Sequence, residues 1–299
     1  MGETVEITPQ GPFSLRAAAA FGFGPTEGRT PEWDAMMRLA FPVDGGRGHA
    51  GAVLRQPKPD GPVVVDLQLQ GGAAGEAALA QVARTLSLDH DGREFMRLGE
   101  SDPVLGALQR AHHGQRPVLF PSPYEAAAWS VISARRPAAQ GARVRAELGS
   151  RLGATFQLAG VEQPSFPQPE RLAEIGDHFP GLDDTKRERL RAVAAAAVAG
   201  ELDVDRLHWL GPEAAYDDVQ RLPGIGPFYA GLIVVRGSGF ADALAPTPEP
   251  KGAAFAARYY GLQEPPDGQA FARLAERWRP FRAWATVLIR LAGGRGTAI

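Results

Sequence analysis

Leu222-Pro223-Gly224-Ile225-Gly226-Pro227 joins two apolar-faced segments, Ala214 to Leu222 and Phe228 to Val235, and its reading decides the fold. Both flanks have helical spacing, so the stretch predicts a helix, a tight hairpin and a second helix. Glycine at 224 and 226 permits positive φ and lets another backbone come close. The amides that open the second helix, at its positive end, then favour an anion such as a phosphate. Such a site grips a sugar-phosphate strand without reading its bases. The same six residues also read as an ordinary αα-turn, and the rest of the chain decides between the two.

Composition narrows the field. The 299 residues are 44% hydrophobic and 22% charged, enough for a substantial core and for more than one domain. There is no cysteine, so disulfides, thiolate zinc sites and cysteine-held clusters are not required features. No apolar run approaches a membrane span, and Met1 to Gln10 lacks the layout of a secretory signal, so residence in the cytoplasm with the chromosome is expected. The formal net charge of -2 argues against coating nucleic acid by bulk electrostatics. Affinity for DNA would have to come from local patches and oriented backbone groups. Two arginine clusters qualify: Arg135, Arg136, Arg143, Arg145 and Arg151, and later Arg273, Arg277, Arg279, Arg282 and Arg290. Taken alone, each also reads as a solvated helix face.

The first hundred residues alternate in the manner of strands at 13–15, 37–41, 52–55 and 63–69, between turns such as Asp44-Gly45-Gly46 and Lys58-Pro59-Asp60-Gly61. A helix is predicted from Gly75 to Leu88, with Ala78, Val82 and Leu86 on one stripe. From about Asp91 the spacing becomes helical. Helices are predicted over 104–111, 123–133, 138–152, 169–175, 184–199, 214–222, 228–235, 251–260 and 269–292, some with caps such as Ser122 before Pro123. The expected fold is α+β: an N-terminal antiparallel sheet with a helix over residues 1–98, then a mostly all-α unit over 99–299.

After the hairpin comes the run Arg236 to Lys251, which contains Asp242, Pro246, Pro248 and Glu249. Hairpin and loop together resemble the helix-hairpin-helix DNA glycosylase superfamily, in particular its alkylated-base (3-methyladenine) branch. Further segments carry the resemblance: Asp102-Pro103-Val104-Leu105-Gly106, Ser122-Pro123-Tyr124-Glu125 with Trp129 to Ser133, and Glu276 to Trp284. It covers most of residues 99 to 292, and the amino-terminal sheet is similar to the small domain that precedes the helical core in that branch. The resemblance implies a DNA repair enzyme of base excision. Such an enzyme would bind damaged duplex DNA as a monomer, flip a damaged purine and hydrolyse its bond to deoxyribose. An alternative on the same scaffold is a noncatalytic DNA-binding or damage-recognition protein.

In that family a carboxylate after the hairpin, usually aspartate, faces the sugar of the extruded nucleotide. Breaking the N-glycosidic bond builds positive charge on the sugar, which a nearby anion stabilises. This chain departs from the pattern. Counting six positions from Asp242 reaches Pro248, whereas the family's Pro-x-x-Asp arrangement, counted from Pro246, reaches Glu249. Glu249 is the candidate catalytic residue, with an exposed loop glutamate as the other reading. Bifunctional relatives carry a lysine six residues after the motif's leucine, and here that position is Phe228, which implies a monofunctional enzyme without lyase activity. Lys251 reads as a solvent-facing charge at a helix start.

The resemblance also implies DNA contacts at Leu222, Gly224, Ile225, Gly226 and Phe228. It puts a wedge side chain at Arg135 or Arg136, where an arginine could fill the stack or hold a phosphate. Tyr124, Trp129, Phe228 and Tyr229 are the candidate base pocket, since electron-rich rings favour a cationic base, although each also suits helical-core packing. The six histidines show no metal-ligand spacing, so no side-chain metal site or cofactor is expected. A monovalent cation on the hairpin carbonyls of 222–226 would match family behaviour.

Overall fold

The computed structural model describes residues 3–21, 35–45 and 47–299. Four strands, β1 (Glu3–Ile7), β2 (Ala35–Pro42), β3 (His49–Gln56) and β4 (Val63–Gln70), form an antiparallel sheet in the order β1-β4-β3-β2. Alternation sorts its faces. Met37, Phe41, Leu54, Val65 and Leu67 pack under helices α1 (Leu15–Ala19) and α2 (Gly75–Thr85), while Ala40 and Val53 face the other way.

The expected strand at 13–15 is instead the entry to α1. Ser14 caps that helix by accepting the Ala17 amide, and Phe13 and Leu15 are buried by the loop and helix around them. The sheet's remaining strand is β1, a half-exposed segment whose polar residues hid it. Gly46, in the turn expected at 44–46, lies outside the described residues.

Helices α3 (Gly92–Ser101), α4 (Pro103–Ala111), α5 (Pro123–Ser133) and α6 (Ala138–Leu152) follow. The expected domain boundary at Gly99 falls inside α3, whose Phe95 joins a core with α4 and the C-terminal helices. Two strands missed by the sequence reading come next, β5 (Thr155–Leu158) and β6 (Val161–Pro164). This hairpin lies against the outer face of the first sheet through Phe156 and Leu158. Its free carbonyls are met from the sheet by Gln68 on Gln157 (3.0 Å), Gln70 on Thr155 (2.9 Å) and Arg38 on Leu158 (2.9 Å). Gly51 is needed there, because a Cβ would stand 2.6 Å from the Phe156 ring.

The remaining helices are α7 (Pro169–Ala173), α8 (Asp184–Val198), α9 (Val204–Leu210), α10 (Pro212–Val219), α11 (Pro227–Gly231), α12 (Pro250–Tyr260), α13 (Gly268–Ala275) and α14 (Arg282–Gly294). The single helix expected over 269–292 is therefore two. A short 3-10 turn at Glu276–Trp278 and then Pro280 interrupt it, since proline cannot donate to the helical ladder. Trp278, Phe281 and Trp284 are all buried, yet they converge from turn, loop and helix rather than from one helix face. Asp102 anchors this region: one carboxylate oxygen caps α4 and the other accepts from Tyr260 (2.7 Å) and Trp278 (3.2 Å).

Candidate active site and nucleic-acid interface

The hairpin connects α10 to α11. Gly224 has φ +87°, a conformation that strongly favours glycine, while Gly226 is extended at φ −94°, ψ −178°. Only the first of the two glycines therefore uses the positive φ expected of both. Ile225 is buried and its amide donates to the Leu222 carbonyl at 3.1 Å, which fixes the turn to the core. Leu222 is half-buried on the same core. A Cβ at Gly226 would meet nothing within 4 Å, so this glycine's open side faces empty space.

The second helix of the motif is short. α11 opens at Pro227 and passes at Leu232 into a π-helical segment, Leu232–Gly237. Single π turns in helices often mark functional sites, because the wider ring re-aims side chains. Here Leu232, Val235 and Arg236 of that segment line a cavity of about 530 Å3.

Glu249 lies on the same cavity. It is the N-cap of α12, with Pro250 at the first helical position, and its Oε2 accepts the Gly252 amide at 2.7 Å. The same oxygen accepts Nε of Arg290 from α14 at 2.8 Å. Oε1 takes no hydrogen bond among the described residues. The side chain is 35% exposed, and the residue lines the cavity. Besides Glu249 and Arg290, Arg236 and Arg295 bring charge to the lining, and the rest of it is mostly apolar, with Pro248, Leu244, Val287 and Phe271 contributing.

Of the four expected pocket rings, only Phe228 lines this cavity, and it is 61% exposed. Tyr124 is buried in the helical core. Its hydroxyl donates to the Pro167 carbonyl at 3.0 Å, its ring tilts against Phe166, and burial raises its phenol well above the usual value. Trp129 and Tyr229 are half-buried against the same core and do not line the cavity. The cause is their place on the helices: α5 runs through the core, so its rings serve packing first. The rings that do line the cavity with Phe228 are Phe21 and Phe271.

Arg135 follows α5 with φ +56° and is exposed, a left-handed conformation uncommon for a residue with a side chain. Arg136 is half-buried, and its Nη1 has no hydrogen-bond partner among the described residues. Several other arginines of the two clusters are tied to acids. Arg145 pairs with the fully buried Glu125, Arg151 with Glu147, and both Arg279 and Arg282 with Asp242. Burial pushes the Glu125 carboxyl up, against the pull of Arg145. Lys251 is exposed at the start of α12. Among the described residues there is no cluster of three or more His, Asp or Glu side chains that could hold a metal, and no helix long and apolar enough to cross a membrane.

Sequence reasoning missed Arg290 as the partner of Glu249. The two are 41 positions apart, so no local spacing could link them.

No protein-family model matches the chain. It is 29% identical over 217 residues to the probable bifunctional transcriptional activator/DNA repair enzyme AlkA of Mycobacterium tuberculosis, covering 70% of this chain and 41% of that protein. It is 24% identical over 166 residues to the DNA-3-methyladenine glycosylase of Bacillus subtilis, covering 54% of each. The chain thus spans about half the length of the curated relatives it matches. The solved 3-methyladenine DNA-glycosylase from Archaeoglobus fulgidus has the same fold, with a TM-score of 0.78 at 20% identity over 99% of this chain and 100% of that one. In sequence and in fold the chain is similar to the helix-hairpin-helix DNA glycosylases. The sequence relatives it matches carry names of the alkylated-base branch. Within this superfamily fold, the α10–α11 turn is the hairpin, and the start of its second helix, at Pro227 and Phe228, forms part of the wall of the cavity that holds Glu249.

Proposed function

We propose that the protein is a monofunctional DNA glycosylase that flips an alkylated purine of the 3-methyladenine type out of duplex DNA and hydrolyses its N-glycosidic bond. One observation carries the reading: a carboxylate at the start of α12, one of whose oxygens takes no hydrogen bond among the described residues, lines a cavity whose wall includes the first turn of the hairpin helix. The relatives' names, a DNA repair enzyme and a DNA-3-methyladenine glycosylase, support the alkylated-base class.

The hairpin amides hold a phosphate while Arg135, or Arg136 beside it, fills the gap left by the extruded nucleotide. The bond between C1′ and the base nitrogen then breaks with its electron pair going to the base, and Oε1 of Glu249 stabilises the cationic sugar. Water adds to C1′ and gives its proton to Glu249 or to the departing base. Alkylation at a ring nitrogen already makes the base a good leaving group. Phe228 offers no amine, and no lysine lines the cavity among the described residues, so no Schiff base forms and the strand stays intact. The hairpin carbonyls of 222–226 are the hard oxygen donors a monovalent cation takes, and that of Leu222 keeps one lone pair beyond the Ile225 amide. They would hold such an ion against the phosphate. The enzyme works as a monomer with the cytoplasmic chromosome.

The Glu249–Arg290 pair favours a second reading, because a neutralised carboxylate is what a noncatalytic damage-binding protein would tolerate. Abasic-site release from methylated duplex DNA separates the two. Wild type should release bases and Glu249→Gln should lose at least about 100-fold in kcat, the scale of one lost electrostatic contact. Release by both proteins at the same rate removes Glu249 from the mechanism. An inactive wild type that still binds duplex DNA supports the noncatalytic reading.

A further inference from the structure

A second group of cations stands beside the hairpin. Lys186 and Arg189 lie three positions apart near the start of α8, on one face of that helix. Lys186 Nζ donates to the Ile132 carbonyl (3.1 Å) and the Ala134 carbonyl (2.8 Å), at the end of α5, where Arg135 and Arg136 follow. Arg189 reaches the other way. Its Cδ, Nε and Nη1 lie 2.8, 2.9 and 2.9 Å from the point where a Cβ on Gly224 would stand, so the guanidinium rests on the hairpin itself. Lys186 therefore sits between two arginines: partial burial, with Arg136 and Arg189 adding to it, lowers its ammonium from the ordinary lysine value, and Asp183 opposes them.

Two of the three acids at the start of α8 are already engaged, and the third, Glu188, is exposed and pairs with none of these cations among the described residues. Asp183 caps α8 by accepting the Lys186 amide, and Asp184 is tied to Arg187. Elsewhere Arg145, Arg206, Arg221 and Arg282 are each paired with a carboxylate. By contrast, the guanidiniums of Arg135, Arg136 and Arg189 make neither a hydrogen bond nor a salt bridge among the described residues. A chain of net charge -2 thus keeps uncompensated cations where the hairpin meets the ends of α5 and α8. Guanidinium suits phosphate oxygens, and cations spread from the hairpin to the end of α5 suit a polyanion rather than a single small anion.

We propose that Arg136, Lys186 and Arg189 form a phosphate-binding surface that continues the hairpin along the DNA backbone toward Arg135, which leaves the gap-filling role to Arg135 alone. The surface gives affinity independent of base sequence and of damage, and it rests on the reading of the hairpin as a DNA contact. It holds the duplex in register while the cavity is tried by successive nucleotides.

The test is binding of the full chain to an undamaged duplex, followed by fluorescence anisotropy from 50 to 200 mM salt. Each lost phosphate contact lowers the slope of log K against log salt by about 0.9. Arg189→Gln and Arg136→Gln are each expected to show that drop and to bind roughly tenfold more weakly at low salt, equally on damaged and intact DNA. Arg189→Lys keeps the charge and should keep the slope. Unchanged slopes in both glutamine variants overturn the proposal. If Gly226→Ala loses binding while those two variants do not, the hairpin reading stands and the α8 surface fails. A wild type that binds no duplex at low salt overturns both.

Discussion

The hairpin's two glycines are expected to fail in different ways when changed to alanine, and the difference separates folding from DNA contact. Gly224 has φ +87°, and a Cβ there would stand 2.8 Å from Cδ of Arg189. The left-handed backbone costs a residue with a side chain about 1–2 kcal/mol, while Arg189 can swing aside cheaply, so Gly224→Ala should lose about that much stability. Gly226 has φ −94°, and its Cβ position is open for at least 4 Å. Alanine fits there without strain and narrows the unfolded ensemble, so Gly226→Ala should gain up to about 0.4–1 kcal/mol. Its new methyl, however, occupies the space through which a phosphate must approach the amides opening α11. Losing one hydrogen bond to a charged group costs about 1.5–3 kcal/mol, which is about a tenfold to hundredfold loss in affinity. Urea denaturation reads the first quantity and anisotropy on an undamaged duplex the second. A Gly226→Ala protein that binds DNA like wild type would falsify the assignment of this face to DNA, and a fully stable Gly224→Ala protein would refute the backbone argument.

Two further outcomes follow from buried charges near α5 and the sheet. Arg145→Gln strips the partner from Glu125, whose side chain is 0% exposed, and should cost about 3–5 kcal/mol. The loss should be smaller at pH 5 than at pH 8 in paired denaturant titrations, since the orphaned carboxyl can take up a proton. Asp44, in the turn after β2, is pushed up to about 6 from 3.8 by burial, despite its partner Arg84. Its proton is bound more tightly in the folded state, so its contribution to stability is fully present below pH 3.8 and is lost as pH rises to about 6. With the side chain 31% exposed, solvent screening trims the effect to about 1–2 kcal/mol. Asp44→Asn should flatten that slope in thermal melts between pH 4 and 7.

Much of the architecture was legible because its signals are local. Ser122 before Pro123 marks the start of α5, and the Ser122 hydroxyl does accept the Glu125 amide at 3.1 Å. Three of the four sheet strands show alternation with buried Met37, Leu54 and Val65 on one face. What escaped the reading depends on distant partners. The β5–β6 hairpin is short, and its edges are satisfied by Gln68, Gln70 and Arg38 from another sheet. Phe13 and Leu15 alternate like a strand, yet Ser14 between them is a helix cap. In the candidate site, Glu249 was chosen by its spacing from Pro246 and lines the cavity, whereas its partner Arg290 had no local signal. The rings failed for a related reason: an aromatic on a helix that crosses the core, such as Tyr124 or Trp129, is indistinguishable in sequence from one on the helix that edges the cavity, such as Phe228.

On the proposed reading, the exchange of aspartate for glutamate is absorbed by the cap. An N-cap side chain normally reaches back to an amide two or three residues on, and serine or aspartate does so with the least chain. Glu249 makes the same bond to Gly252 with one more methylene, so its carboxylate must fold toward α12, and Arg290 from α14 fixes the fold by holding the same oxygen. Gly252 supplies that amide, and a Cβ there would meet Oε2 at 3.4 Å, an ordinary van der Waals contact. The longer acid thereby uses Oε2 on the scaffold and leaves Oε1 without a hydrogen bond among the described residues, free for the proposed contact with the sugar. A glutamate at this position is held by the 252 amide and by Arg290 together, two contacts that a side chain pointing into solvent would not make.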